Sequence, residues 1–144
     1  PMTPLSLWAL SAVALFLLQF ALAGVQGLGR TRSRVFVRPE DAAWFGVPAA
    51  QAEVPIVDRA QRAIVNNLEN VPHFLALGLA YALLGCWPTG AWIYFPLFVL
   101  SRIGHNLCQL FPTQPLRNRL YLLGIALLLA ISGHVVVQAL SGTG

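Results

Sequence analysis

No charged side chain precedes Arg30, and from Leu5 to Leu28 the chain is almost wholly apolar. A second uncharged stretch runs from Leu120 to Leu140. Wound as an α-helix at 1.5 Å per residue, each is about long enough to cross a hydrocarbon core of ~30 Å. The rest of the chain has little polar surface with which to hide them. Of 144 residues, 57% are hydrophobic and 10% are charged, against about 25% charged in a soluble domain. The bilayer is the expected solvent. A disordered chain, a nucleic-acid-binding module and an ordinary soluble enzyme are excluded. The first stretch is too long for a signal peptide, lacks a basic start and is followed by further spans, so it reads as a transmembrane helix. Pro1, ahead of Met2, reads as a tag remnant and is set aside.

The middle of the chain is mixed. Val57 to Leu84 begins polar and ends apolar, and Ala91 to Leu110 does the reverse. Gly85-Cys86-Trp87-Pro88-Thr89-Gly90 has the composition of a turn, and Pro112 and Pro115 mark another. The expectation is a single all-α domain over 1–144. It is an integral membrane four-helix bundle with helices near 5–28, 57–85, 91–110 and 116–140. One long loop, 29–56, and two short connections join them. Short connections imply antiparallel neighbours.

Orientation follows from the arginines. Arg30, Arg32, Arg34 and Arg38 follow the first span, and Arg117 and Arg119 open the last. The 85–90 turn and both termini carry none, so the arginine-bearing side is expected to face the cytoplasm, with both termini opposite. The nine basic residues are all arginine, against five acids. That usage fits a GC-rich bacterial genome and an inner-membrane location. No basic run is interleaved with aromatics, so no nucleic-acid partner is expected. Cys86 and Cys108 cannot make a disulfide framework or a four-ligand zinc site, and no metal is expected.

Polar residues recur at helical spacing within the cytoplasmic half. In the second span Arg59, Arg62, Asn66, Glu69 or Asn70, and His73 are three or four apart, as are Arg102, His105, Asn106 and Gln109 in the third. Arg117, Asn118, Arg119 and Tyr121 open the fourth, and Arg30 ends the first. Charges at membrane depth should face the bundle interior and pair there. Glu69 is the evident acidic partner for Arg62 and Arg102, which leaves a cationic excess suited to an anionic ligand. Taken singly, each residue also has a plainer reading. Arg62 with Glu69 also reads as a salt bridge, and Arg102 as a snorkelling or carbonyl-capping side chain. His105 also reads as an interhelical hydrogen bond, Tyr121 as an interface anchor, and His73 and His134 as packing. The convergence of several helices at one depth is what those readings leave unexplained.

These residues also form ordered motifs. Arg34-Val35-Phe36-Val37-Arg38-Pro39-Glu40-Asp41 is followed by Phe45-Gly46. Asp58-Arg59-Ala60-Gln61-Arg62-Ala63 precedes Asn66-Asn67-Leu68-Glu69-Asn70. Arg102 to His105 is followed by Pro115-Leu116-Arg117 and Tyr121. From about residue 30 to 125 the chain resembles the MAPEG family, membrane-associated proteins in eicosanoid and glutathione metabolism, and within it the microsomal glutathione transferases and prostaglandin synthases. The resemblance implies a homotrimer of four-helix subunits with glutathione as co-substrate, bound between subunits at the cytoplasmic side. By position Arg30, Arg62, Asn66, Glu69, His105, Arg117 and Tyr121 match family residues around glutathione, and Arg102 matches an arginine of the same polar core. Arg117 matches the arginine near the glutathione sulfur. A guanidinium there lowers a thiol pKa from its ordinary ~8.5.

The departures are Asn118 for a serine beside that arginine, Gln109 for a tyrosine, Val65 for an arginine, and Pro72-His73 with the proline one place early. An amide at 118 can donate a hydrogen bond to a thiolate but cannot relay a proton. The implied activity is a glutathione transferase acting on hydrophobic electrophiles that partition into membrane lipid, or on lipid hydroperoxides. The alternative is a non-catalytic lipid-binding scaffold of the same family. A transporter is disfavoured because the polar groups occupy only one half of the spans. The 39–56 loop is a candidate cover for the pocket.

Overall fold

A computed structural model describes residues 2–142. It contains α1 (Pro4–Ser33), α2 (Pro39–Trp44), α3 (Pro55–Leu83), α4 (Pro88–Leu110) and α5 (Leu116–Ser141), with no strand among the described residues. Proline stands in the first turn of α1, α2, α3 and α4. A proline there loses no intrahelical hydrogen bond, and its fixed φ suits the helix. This moves two expected boundaries. α3 starts at Pro55, and α4 starts at Pro88, inside the stretch read as a turn.

The first helix also outlasts its apolar run. Arg30 and Arg32 lie in its last turn, where cations complement the negative helix end. Arg34 closes it in the left-handed region at φ 55°. The expected 29–56 loop is therefore shorter and contains α2, whose first turn carries Glu40 and Asp41 at the favourable end of the dipole. Phe36 and Phe45 stack across α2, with centroids 4.4 Å apart.

The four long helices form a bundle. α1 packs on α3 and α4, α4 on α5, and α3 also on α5. The core is aromatic. Phe74 stacks on Phe98 at 4.4 Å and meets Phe95 edge-on at 5.5 Å. Tyr81, Leu15, Leu127 and Ile131 belong to the same buried cluster. Gly78 lets α1 approach α3: a Cβ there would lie 2.9 Å from Trp8 Cδ1. The Trp8 indole donates to the Leu75 carbonyl at 3.1 Å.

The outside is apolar too. Phe16 and Phe20 on α1, and Leu122, Leu129 and Val137 on α5, are among the exposed large side chains. α1 and α5 are long and apolar enough to cross a membrane. The turn after α2 and the start of α3 lie at the same end of the bundle as the α4–α5 connection: Arg59 Nη1 donates to the Leu110 carbonyl at 3.4 Å.

Candidate functional site

At that end a cleft of about 480 Å³ opens between α3, α4 and α5. α3 contributes Arg62, Asn66 and Glu69, α4 contributes His105 and Gln109, and α5 contributes Arg117, Asn118 and Tyr121. Eight residues singled out from the sequence thus share one wall-to-wall space. Gln61 and Val65 line it as well. Their spacing of four, continued by Glu69, was the available signal.

The hydrogen bonds fix which atoms face a ligand. Arginine only donates, so the amide oxygens of its partners must point at it. Arg102 Nη1 donates to Asn66 Oδ1 at 3.2 Å, and Arg117 Nη1 donates to Gln109 Oε1 at 3.1 Å. Each amide oxygen has one lone pair engaged inside the protein, and both side chains retain their NH₂ groups. With the guanidinium groups of Arg62 and Arg117, the cleft is rich in donors. Among the described residues, Glu69 is the only carboxylate in its lining.

Arg102 does not line the cleft. It is fully buried behind Asn66, with its guanidinium carbon 5.6 Å from the Phe98 ring centroid. Its Nη2 donates to the Leu120 carbonyl at 3.4 Å. Gly124 gives it room, since a Cβ there would lie 2.5 Å from Nη2. Asn106 is buried beside it, and neither polar atom of its amide has a protein partner. The expected α4 stripe therefore splits: His105 and Gln109 face the cleft, and Arg102 and Asn106 support it from within.

The α3 stripe splits as well. Asn67 and Asn70 turn inward, Asn67 donating to Gln19 of α1 at 3.0 Å and Asn70 to the Asn66 carbonyl at 2.7 Å. Glu69 is not the partner of Arg62. Arg62 pairs with Asp58 at 2.9 Å, one turn earlier on the same helix, where the two side chains meet without any cross-bundle reach. Glu69 is thereby left to the cleft.

Arg30 lies outside this cleft, bridged to Glu53 at 2.6 Å. None of residues 39–56 lines the cleft of its own chain. Glu53 instead borders a separate surface hollow with Val37 and Asp58. His134, read as a packing residue, lies at the opposite end and shares a 3.2 Å hydrogen bond with the Tyr94 hydroxyl. Cys86, in the turn before α4, is buried, and burial pushes its thiol pKa up.

An all-helical bundle with an apolar surface, two helices long and apolar enough to cross a membrane and a polar cleft at one end defines the class. Sequence comparison narrows the class. The MAPEG family profile matches residues 7–137, and the chain belongs to that family. It is 34% identical to human prostaglandin E synthase over 115 residues, covering 79% of this chain and 76% of that protein. It is 37% identical to human microsomal glutathione S-transferase 1 over 117 residues, covering 77% of this chain and 75% of the relative. The rat glutathione S-transferase is 34% identical over 116 residues, covering 77% and 75%. These relatives support a glutathione-related enzyme.

Proposed function

We propose that the chain is a membrane-bound glutathione transferase that holds glutathione as its thiolate for attack on hydrophobic electrophiles. The observation that carries this is the polarity of the cleft: arginines and amide NH₂ groups gathered around one carboxylate. Glutathione carries two carboxylates and one ammonium. Arg62, with the NH₂ groups of Asn66 and Gln109, suits carboxylates and peptide carbonyls. Glu69 suits the ammonium. Arg117 is the candidate that stabilises the sulfur anion. A guanidinium in that role acts electrostatically and not as a base. Asn118, beside it, adds an amide donor but no proton relay.

In conjugation the sulfur bonds to the electrophilic carbon and the leaving group departs with its electron pair. With a lipid hydroperoxide the sulfur bonds to the outer peroxide oxygen and the O–O bond breaks. The alkoxide takes a proton to become the lipid alcohol. The resulting glutathione sulfenic acid condenses with a second glutathione to the disulfide and water. Val65, Gln109 and Asn118 depart from the prostaglandin synthase pattern and disfavour a dedicated isomerase.

The proposal includes four transmembrane helices, α1, α3, α4 and α5, in a bacterial inner membrane, with the cleft facing the cytoplasm and both termini opposite. It also includes a homotrimer. Because Arg30 lies outside its own chain's cleft, it can meet glutathione only from a second copy, as a site between subunits requires.

A glutathione titration of the detergent-purified protein, followed by thiolate absorbance near neutral pH, tests the reading. Saturable thiolate formation is expected. Arg117→Ala should lose most of it while glutathione-dependent thermal stabilisation persists. Full thiolate formation and conjugation in Arg117→Ala would refute the role of Arg117. Absence of any glutathione binding would favour the scaffold reading.

A further inference from the structure

Every charged side chain falls within Arg30 to Arg119, so the net charge of +4 belongs to the cleft-bearing half of the bundle. Three arginines lie where α1 ends, and they are used differently. Arg30 is bridged to Glu53 at 2.6 Å, and Arg34 Nη2 donates to the Phe45 carbonyl at 2.9 Å. Arg32 is exposed and has neither an ion pair nor a hydrogen bond among the described residues.

Arg32 stands at the rim of a groove of about 560 Å³ between the end of α1 and the start of α3. Val25, Leu28 and Gly29 line it from α1, and Val54 and Ile56 from the start of α3. Val25, Leu28, Gly29 and Arg32 are spaced three or four apart, so they form one stripe along about 10 Å of helix. The stripe runs from the guanidinium into the apolar belt of α1. The two helices touch at Gly29, where an added Cβ would lie 2.6 Å from Val57 Cγ2. Arg30 and Arg32 are two residues apart, about 200° around the helix. The groove therefore opens on the side of α1 away from Arg30, and a second copy engaging Arg30 approaches from the other side.

An apolar wall that ends in an unpaired cation is complementary to an amphiphile with an anionic head. At the end of a membrane span a guanidinium reaches headgroup level. There its planar fork suits a phosphodiester. A zwitterionic lipid would bring a second cation to the same rim. A small soluble anion would leave the apolar wall uncovered.

We propose that this groove binds an anionic phospholipid of the phosphatidylglycerol type, with its phosphodiester on Arg32 and one acyl chain along Val25, Leu28 and Ile56. The site needs a bilayer but no glutathione, so it is independent of the transferase reading.

The test is thermal unfolding of the delipidated protein in neutral detergent, titrated with phosphatidylglycerol or with phosphatidylcholine of the same chains. In the parent, phosphatidylglycerol should raise the midpoint saturably and phosphatidylcholine much less. Arg32→Gln should weaken the phosphatidylglycerol response roughly 5-fold, the worth of one arginine at an anionic lipid surface. Arg38→Gln removes the same charge outside the groove and should keep the response. Leu28→Trp puts a larger side chain on the groove wall and should weaken it with Arg32 in place. Glycerol 1-phosphate alone should shift nothing. Equal responses to the two lipids in the parent overturn the proposal. Equal losses in Arg32→Gln and Arg38→Gln do so as well, because they mean general surface charge. A full response in both Arg32→Gln and Leu28→Trp, or a shift by glycerol 1-phosphate that matches the lipid's, overturns the groove as the site.

Discussion

Gly124→Ala is expected to damage a site that its side chain would never touch. The added Cβ would sit 2.5 Å from Arg102 Nη2 and 3.1 Å from Cζ. The guanidinium must move, and Arg102 is fully buried. Forcing an extra methyl into a packed interior costs about 1–3 kcal/mol. Weakening the bonds from Arg102 to Asn66 and the Leu120 carbonyl adds about 1.5 kcal/mol, the low end for a charged donor. Replacing glycine by alanine within a helix returns about 1 kcal/mol. The net is about 1.5–3.5 kcal/mol of destabilisation, or a midpoint lowered by roughly 5–10 °C. Asn66 also loses the contact that orients its amide, so glutathione should bind roughly 3- to 10-fold more weakly, as for one net hydrogen bond lost. The control is Gly133→Ala on the same helix, where an added Cβ meets nothing within 4 Å. That variant should match or exceed the parent in thermal stability. The assay is thermal unfolding in detergent with and without glutathione. If Gly124→Ala proves as benign as Gly133→Ala in both midpoint and glutathione affinity, the support of Asn66 by Arg102 is wrong.

Gln109→Leu removes the acceptor on Arg117, at 3.1 Å. It should shift the pH midpoint of thiolate formation upward, because a mobile guanidinium stabilises the sulfur anion less, and an unchanged midpoint counts against this clamp. Arg30→Ala leaves the Glu53 carboxylate with a buried, unpartnered Oε2 and no cation. It should lower stability by about 1 kcal/mol, and Glu53→Ala in the same chain should recover part of that, read as a double-mutant cycle of thermal midpoints. Cys86, buried and with its thiol pKa pushed up, should alkylate much more slowly than free cysteine at neutral pH, since the thiolate is the nucleophile. Alkylation of native protein at the free-thiol rate would contradict that burial.

The convergence of Arg62, Asn66, Glu69, His105, Gln109, Arg117, Asn118 and Tyr121 was legible because helical periodicity fixes which side chains share a face. What periodicity does not fix is which neighbouring helix a face meets. Arg102 stands one turn from both His105 and Asn106 by spacing, yet Gly124 on α5 opens a slot that takes its guanidinium out of the cleft. Nothing in the α4 sequence records that slot. Helix starts were misread for a simpler reason. Pro55 falls in the expected loop and Pro88 in the expected turn, although proline is tolerated in the first turn of a helix, where its missing N–H is no loss. The pairing of Arg62 with Asp58 is readable from their i, i+4 spacing, which brings them closer than Arg62 and Glu69, two turns apart on the same helix.

The Arg62–Asp58 pair also sets the charge of the cleft. A Glu69 tied to Arg62 would have neutralised the cleft and left nothing to receive an ammonium. With Asp58 taking Arg62 near the mouth, the cleft keeps one free carboxylate among its donors. α3 then serves three neighbours from three faces. Asn67 and Asn70 seal it to the bundle interior, Arg62, Asn66 and Glu69 face the polar cleft, and His73 and Leu77 face a groove beside α5. Glu69 stands where the last two faces meet, and Pro72 follows within one turn. A proline inside a helix leaves the carbonyl four residues back without its usual donor, here that of Leu68. The junction between the water-facing cleft and the apolar groove therefore falls where α3 is least constrained by its own backbone hydrogen bonds. A reaction that joins a polar thiol to a lipid-borne substrate needs both partners at such a junction, and α3 borders both spaces there.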